Sequence, residues 1–137
     1  MTGIESMLAE ARTRIVRYSP EEAAVAGGVI VDLRSADERA REGIIPGSVH
    51  VPRSVLEWRC DPASGNANPV VADPQLRLIL VCAHGQSSSL AAAVLVDLGF
   101  EYAGDLEGGF EGWRAAGLPV APAPPSGEGL PGMGGPQ

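Results

Sequence analysis

Metal-binding side chains are scarce in this sequence, which contains two cysteines and two histidines among its 137 residues. Structural zinc sites are built mostly from four closely spaced cysteines and histidines, and Cys60, Cys82, His50 and His84 are not spaced in this way. The glycine-rich fingerprints that bind nucleotide phosphates are also missing. We therefore expect neither a zinc site nor a phosphate-binding loop of that kind.

Positive charge and long apolar runs are also in short supply. The 10 lysines and arginines are outnumbered by 17 acidic residues, giving a formal net charge of −7, which argues against a general affinity for nucleic acid or anionic membrane. The apolar runs are too short to cross a bilayer, and Met1 to Glu5 do not begin a secretory signal. We expect a cytoplasmic protein in which Cys60 and Cys82 are free thiols rather than a structural disulfide.

The length of the chain fits one domain with a substantial core. From Ala121 onward the composition changes to proline, glycine and alanine with almost no apolar bulk. We expect a domain over residues 1–120 and a disordered tail over residues 121–137. No sequence feature specifies an oligomeric state.

Strand signals and helix signals alternate along the chain, which is typical of an α/β fold. A helical stripe covers residues 4–14, and Ser19 and Ser35 each open a Ser-x-x-Glu capping box at the start of a helix. Strands are expected at residues 15–18, 28–33, 78–81 and 102–106, with a brief one between 43 and 52. Further helices are expected at residues 53–59, from Asp73-Pro74, after the serines at 87–89, and from Gly108 to Gly117.

Cys82 is the candidate nucleophile. It ends the apolar run at residues 78–81, and a short loop with Gly85 leads from it to three serines and an apolar-periodic segment. In this strand, loop and helix arrangement, loop N–H groups and the helix N-terminus converge on the sulfur and favour the thiolate. On local sequence alone, a small buried hydrophobe is the better interpretation. However, Cys82 lies at the carboxyl end of a strand, where α/β proteins bind ligands, and this position favours a catalytic role.

Two pairs of charged residues need separate interpretations. Asp32 and Arg34 stand at a strand end, and an ion pair that fixes the loop is a better explanation for them than catalysis. Arg53 and Arg59 carry guanidinium groups, which suit oxyanions such as sulfate or phosphate, although ordinary surface charge is the simpler explanation. Residues 60–68 are polar and rich in turn signals, so we expect a surface loop there.

Four motifs in order resemble the rhodanese-like domain family over residues 15–120. They are Val31-Asp32-Leu33-Arg34 with Glu38, then Gly43-Ile44-Ile45-Pro46-Gly47-Ser48-Val49-His50-Val51-Pro52, then Cys82-Ala83-His84-Gly85 with Ser88, and finally Leu106-Glu107-Gly108-Gly109-Phe110-Glu111-Gly112-Trp113 with Gly117-Leu118-Pro119. Each motif alone is a weak signal. Their order makes the combination specific.

The resemblance implies a five-stranded, mainly parallel sheet flanked by helices on both faces. It also implies a sulfurtransferase in which Cys82 carries a persulfide sulfur from a donor such as thiosulfate to a thiol or cyanide, without a metal or an organic cofactor. The implied substrate-binding residues are those of the loop after Cys82, together with the two candidate arginines: Ala83, His84, Gly85, Gln86, Ser87, Ser88, Arg53 and Arg59.

One position departs from the family pattern. The family's loop often has an arginine five residues after the cysteine, and this chain has Ser87 there. The change weakens recognition of a dianionic donor unless Arg53, Arg59 or His84 reaches into the pocket.

Two other functions are compatible with the sequence, and Cys60 adds a redox possibility. A catalytically weak module for partner binding or redox sensing is the main alternative to the sulfurtransferase. Phosphatase or arsenate reductase chemistry ranks last, because neither Ser87 nor Ser88 can clamp an oxyanion as an arginine does. Cys60 is a candidate resolving thiol, which would form a disulfide with Cys82 during redox cycling. A direct disulfide requires the two Cα atoms to lie within about 7 Å.

Overall fold

The computed structural model describes residues 3–125 as six α-helices and five β-strands with one 3-10 turn. The elements run in the order α1 Gly3–Arg12, β1 Val16–Tyr18, α2 Pro20–Val25, β2 Val29–Asp32, α3 Ala36–Glu42, β3 Val49–His50, the 3-10 turn Arg53–Val55, α4 Leu56–Cys60, β4 Leu78–Val81, α5 Ser87–Asp97, β5 Gly104–Leu106 and α6 Gly109–Ala115. The expected α/β architecture is confirmed.

The five strands form one parallel sheet in the order β1-β5-β4-β2-β3. β4 is the central strand, and its four residues are all buried. Because parallel strands share a carboxyl edge, the residues that follow β1, β2, β4 and β5 meet at one edge of the sheet. Cys82 directly follows β4 at that edge.

Both predicted capping boxes are present. Ser19 accepts a hydrogen bond from the N–H of Glu22, and the Glu22 carboxylate accepts one from the N–H of Ser19. Ser35 and Glu38 make the same reciprocal pair at the start of α3. Each box satisfies two backbone donors that the first helical turn leaves without partners, so these two helices begin where the sequence predicts.

The core lies on both faces of the sheet, because side chains of β4 alternate between them. Leu78 and Leu80 belong to one cluster with Leu56 of α4 and Leu95 of α5. On the opposite face, Ile79 and Val81 belong to a second cluster, whose helical members are Ala23, Phe110 and Trp113. Helices α4 and α5 therefore cover one face, and α2 and α6 cover the other, as the resemblance implied.

Residues 61–67 form the surface loop that the sequence predicts, and the difference lies at the two ends of the predicted range, Cys60 and Asn68. Cys60 was expected in a surface loop, but it ends α4 and is fully buried, as is Asn68. The segment folds back because Asn68 bridges it: its N–H donates to the Arg59 carbonyl at 2.8 Å, and its Oδ1 accepts from Val70 at 2.9 Å.

The prediction of a helix from Asp73-Pro74 is wrong, because these residues form a turn. Asp73 Oδ1 accepts a hydrogen bond from the N–H of Gln75 at 2.9 Å, which closes a turn in place of a helix. β4 begins at Leu78, so too few residues follow Pro74 for even one stable helical segment.

Ala121 and Ile44 form an isolated antiparallel bridge, with N–H to O distances of 2.8 and 2.9 Å. The domain boundary at residue 120 and the disordered tail stay predictions. Residues 126–137 of that predicted tail lie outside the described residues. Within residues 3–125, none of the helices has the length and hydrophobicity that crossing a membrane requires.

Candidate active site

Cys82 lies in a cradle of hydrogen-bond donors at the carboxyl edge of the sheet. Its Sγ accepts from the N–H of Gly85 at 3.1 Å and from the N–H of Ser88 at 3.4 Å, and Ser88 Oγ lies 3.3 Å away. The residue is 8% exposed. The loop therefore wraps the side chain closely, and a small part of the residue is exposed to solvent.

These contacts lower the pKa of the Cys82 thiol. Burial acts in the opposite direction and raises it, but hydrogen bonds from the hydroxyls of Ser88 and Ser87 and from the N–H groups of Ser88 and Gly85 outweigh burial. A lowered pKa increases the fraction of thiolate, which is the nucleophilic form of cysteine. The cradle thus favours a reactive thiolate, as the sequence predicts.

The start of α6 holds the loop from outside. The N–H of Phe110 donates to the Cys82 carbonyl at 2.8 Å, and the N–H of Glu111 donates to the Ala83 carbonyl at 3.1 Å. Because α6 binds these carbonyls, the later N–H groups of the loop remain for the sulfur.

Glycine is required where α6 meets the loop. At Gly109, φ is +61°, and a Cβ atom would lie 2.3 Å from the Cys82 carbonyl oxygen. At Gly85, φ is +83°, and a Cβ would lie 2.6 Å from the Gly108 nitrogen. Both distances are far below van der Waals contact, so the two backbones approach this closely only without side chains.

A polar network that the sequence reasoning missed supports the other side of the loop. Asp105 of β5 is fully buried, and its Oδ2 accepts from Ser88 Oγ at 2.8 Å and from Ser89 Oγ at 2.7 Å. Arg17 Nε donates to Asp105 Oδ1 at 2.9 Å. Arg12 Nε donates to Ser89 Oγ at 3.0 Å.

The signal for this network lies in strand pairing rather than in local sequence. Arg17 and Asp105 are register partners in the parallel pair of β1 and β5, and 88 positions separate them along the chain. Opposite charges on neighbouring strands pair well, but that clue becomes visible only once β1 is placed beside β5.

The remaining loop residues face outward to different degrees. His84, Gln86 and Ser87 are exposed, and Ala83 is partly buried. The loop that carries the buried Cys82 therefore presents polar side chains to solvent. Their contact with substrate remains a prediction.

Arg53 and Arg59 each make a contact with a residue close to them in the sequence. Arg53 Nη1 pairs with Glu57 at 2.8 Å within its own helical segment, and Arg59 Nη1 donates to the Asn66 carbonyl at 3.0 Å. Two other guanidinium groups, those of Arg12 and Arg17, bind the Cys82 loop at the Gly85 carbonyl. Substrate binding by Arg53 and Arg59 therefore remains a prediction.

The pair expected between Arg34 and Asp32 is present and buried. Arg34 binds both carboxylate oxygens, with Nε to Oδ1 at 3.1 Å and Nη2 to Oδ2 at 2.9 Å, and Arg39 adds a third contact at 3.2 Å. The Arg34 guanidinium also lies 3.8 Å from the ring centroid of Phe110. This cluster anchors Phe110, the residue whose N–H binds the Cys82 carbonyl.

Cys60 lacks the properties of a resolving thiol. It is fully buried in the core cluster beneath α4 and α5, and burial raises its pKa to about 12. It is therefore protonated at neutral pH and closed to solvent. Both cysteines are free.

Comparison with known sequences gives one family. Residues 19–116 match the rhodanese-like domain family. The thiosulfate sulfurtransferase GlpE of Pseudomonas savastanoi pv. phaseolicola is 37% identical over 107 residues, which cover 75% of this chain and 91% of that protein. GlpE of Stutzerimonas stutzeri is 41% identical over 105 residues, covering 74% of this chain and 87% of that protein.

Solved structures agree with the fold. A Rhodopseudomonas palustris protein of unknown function, described as a possible tyrosine phosphatase, superimposes with a TM-score of 0.80 at 37% identity, covering 88% of this chain and 95% of that one. The polysulfide-sulfur transferase homodimer of Wolinella succinogenes superimposes with a TM-score of 0.66 at 24% identity, covering 87% of each chain. The second likeness shows the fold alone.

Proposed function

Because this chain belongs to the rhodanese-like domain family, we propose that it is a sulfurtransferase in which Cys82 carries the transferred sulfur as a persulfide. The observation that carries the proposal is the sulfur cradle: two backbone N–H groups, from Gly85 and Ser88, point at a cysteine with a lowered pKa. Such donors stabilise negative charge on sulfur in a site with little water.

The first half-reaction transfers one sulfur atom to the enzyme. The Cys82 thiolate attacks the outer sulfur of thiosulfate, a new S–S bond forms, and the old S–S bond breaks with its electron pair leaving on sulfite. The enzyme then holds a persulfide anion, and no proton is gained or lost.

The second half-reaction restores the thiolate. Cyanide or a thiolate attacks the outer sulfur of the persulfide, and the electron pair of the broken S–S bond returns to Cys82 Sγ. The products are thiocyanate or a new small persulfide. Neither half-reaction calls for a metal or an organic cofactor.

Thiosulfate is the proposed donor because the relatives at 37% and 41% identity are named thiosulfate sulfurtransferases. The exposed polar side chains of His84, Gln86 and Ser87 beside the sulfur supply hydrogen-bonding groups for its sulfonate oxygens. A small dianion and a thiol or cyanide are thus the proposed partners.

Phosphatase chemistry, named for the Rhodopseudomonas relative, fits this loop less well. Phosphoryl transfer needs cationic groups around the equatorial oxygens. The loop from Cys82 to Ser88 contains no arginine or lysine, and the Ser88 hydroxyl is buried and bound to Asp105. We expect no turnover of p-nitrophenyl phosphate.

Steady-state kinetics test the proposal. Thiocyanate formation from thiosulfate and cyanide should show ping-pong kinetics, since the two half-reactions are separated by a covalent intermediate. Cys82→Ser should abolish the reaction, and Cys60→Ala, the matched control at the other cysteine, should retain it. Turnover by Cys82→Ser would exclude Cys82 as the sulfur carrier. No turnover by a folded wild-type chain, with thiosulfate and with mercaptopyruvate, would exclude the sulfurtransferase and leave the partner-binding or redox-sensing module.

A further inference from the structure

Two arginines from the N-terminal elements bind one carbonyl of the Cys82 loop. Arg12 Nη2 lies 3.0 Å and Arg17 Nη2 lies 2.9 Å from the carbonyl oxygen of Gly85. The N–H of the same glycine donates to Cys82 Sγ at 3.1 Å. Charge-assisted hydrogen bonds are shorter and stronger than neutral ones. The two guanidinium groups therefore fix the residue that faces the sulfur.

Asp105 links these arginines to the serines of the loop. It receives Arg17 at Oδ1 and the hydroxyls of Ser88 and Ser89 at Oδ2, while Arg12 binds the Ser89 hydroxyl. Two guanidinium groups and one carboxylate leave this cluster with a net charge of +1. This net positive charge is connected to Cys82 Sγ through Gly85 and Ser88, and positive charge near a sulfur favours its anionic forms.

Other charged side chains around the site are exposed or paired with one another. On α6, Glu111 pairs with Arg114, and at the end of β2, Asp32 pairs with Arg34 and Arg39. His84 in the loop and Glu107 after β5 are exposed to solvent. The cluster of Arg12, Arg17 and Asp105 is therefore the charged group bonded directly to the Cys82 loop.

We propose that Arg12 and Arg17 are positioning residues for Cys82, which hold Gly85 against the sulfur and place positive charge beside the anions formed there. Both residues precede the family match at residues 19–116. They bring positive charge to the loop from α1 and β1, at the Gly85 carbonyl rather than at position 87, where the family pattern often has an arginine. The effect of the two arginines on the Cys82 thiolate does not depend on the proposed function. Their effect on a persulfide rests on it.

Alkylation of Cys82 by iodoacetamide across a pH series tests the proposal, with peptide mapping to confirm the modified cysteine. In Arg12→Gln, the midpoint of the rate profile should rise by about 0.5 to 1 pH unit, a threefold to tenfold loss of thiolate below the midpoint. Arg12→Lys, which keeps the charge, should restore most of the shift.

Arg14→Gln is the matched control. Arg14 lies two positions beyond the end of α1, and its Nη1 pairs with Asp97 of α5 at 2.6 Å, so this variant removes the same charge and loosens the same helix contact without touching the loop. Its midpoint should equal that of the wild type. An unchanged midpoint in Arg12→Gln, or equal shifts in Arg12→Gln and Arg14→Gln, would overturn the proposal.

Arg17→Gln is a second test variant, with expected effects on both the alkylation midpoint and the stability of the fold. Its midpoint should rise at least as far as that of Arg12→Gln, and its unfolding midpoint in urea should fall because buried Asp105 loses its ion pair. If it does not fold, the Arg12 variants decide alone. Alkylation of Cys82 requires no sulfur transfer, so the two proposals can fail separately. A shifted alkylation midpoint in a protein that forms no thiocyanate refutes only the proposed function. Thiocyanate formation with an unshifted midpoint in the arginine variants refutes only this inference.

Discussion

At the scale of single residues, the Ser88 hydroxyl is shared between two acceptors. It lies 3.3 Å from Cys82 Sγ and 2.8 Å from Asp105 Oδ2, and it has one proton to donate. When Cys82 is a thiol, S–H donates to Ser88 Oγ and Ser88 donates to Asp105. When Cys82 is a thiolate, the Ser88 proton can turn to the sulfur while Ser89 and Arg17 still satisfy Asp105.

Replacing Ser88 by alanine should therefore weaken the thiolate without removing the backbone donors. We expect the pKa of Cys82 to rise and sulfur transfer at neutral pH to fall about tenfold or more, since one hydrogen bond to a charged group contributes about 1.5 to 3 kcal/mol. The pH dependence of thiocyanate formation measures both effects.

Ser48→Ala is the control for that substitution. The Ser48 hydroxyl is buried and makes no hydrogen bond within the described residues, so its loss should leave the pH profile unchanged. Equal profiles for Ser88→Ala and the wild type would show that the Ser88 hydroxyl does not act on Cys82.

The two cysteines should differ sharply in reactivity. The lowered pKa of Cys82 means that its alkylation rate rises with pH to a midpoint below that of an ordinary cysteine. Cys60, with its pKa raised to about 12 by burial, should stay unmodified at neutral pH. Peptide mapping after limited iodoacetamide treatment checks this, and early labelling at Cys60 would contradict it.

At the scale of elements, the loop after β4 and the start of α6 form one unit. Gly109→Ala should disrupt it, because a Cβ at this position meets the Cys82 carbonyl oxygen at 2.3 Å. We expect a loss of sulfur transfer of more than tenfold and a lower urea midpoint.

Gly117→Ala separates this clash from backbone strain. Gly117 also has a positive φ, +77°, but nothing lies within 4 Å of a Cβ built there. Its cost should be limited to about 1 kcal/mol of conformational strain, with sulfur transfer retained. Equal losses of activity in Gly109→Ala and Gly117→Ala would show that close packing of α6 on the loop does not maintain the geometry of the site.

Local signals explain why some elements were predictable and others were not. The capping boxes at Ser19 and Ser35 and the run before Cys82 are contiguous, so their structure follows from neighbours in sequence. Residues 60–68 carry turn signals throughout and Asp73-Pro74 carries a helix-start signal, and the structure of this region depends on which side chains the fold buries. Asn68 illustrates this, because the same residue type that predicts a surface turn closes a buried one here.

At the scale of the whole molecule, the fold brings distant segments to one sulfur. The cysteine and its donors could be predicted, because they occupy the residues between Cys82 and Ser88. The supporting groups could not, because Arg12, Arg17 and Asp105 meet only through the pairing of β1 with β5 and the packing of α1 on α5. Long-range ion pairs of this kind leave no periodic signal.

The N-terminal segment should be essential to the folded domain although it precedes the family match. Removing residues 1–18 would expose the edge of β5 that β1 covers and the α5 surface beneath buried Ala11. We expect loss of a cooperative thermal transition in circular dichroism. Removing residues 126–137, which belong to the predicted tail, should leave the transition in place; equal behaviour of the two truncations would contradict the expectation.

The intact mass of the protein after incubation with thiosulfate decides whether Cys82 is a sulfur carrier. We predict that the wild type gains one sulfur atom, that cyanide removes it, and that Cys82→Ser gains none while Cys60→Ala gains the same atom. No added sulfur on the folded wild type with thiosulfate or mercaptopyruvate, or an added sulfur that persists in Cys82→Ser, would contradict the assignment.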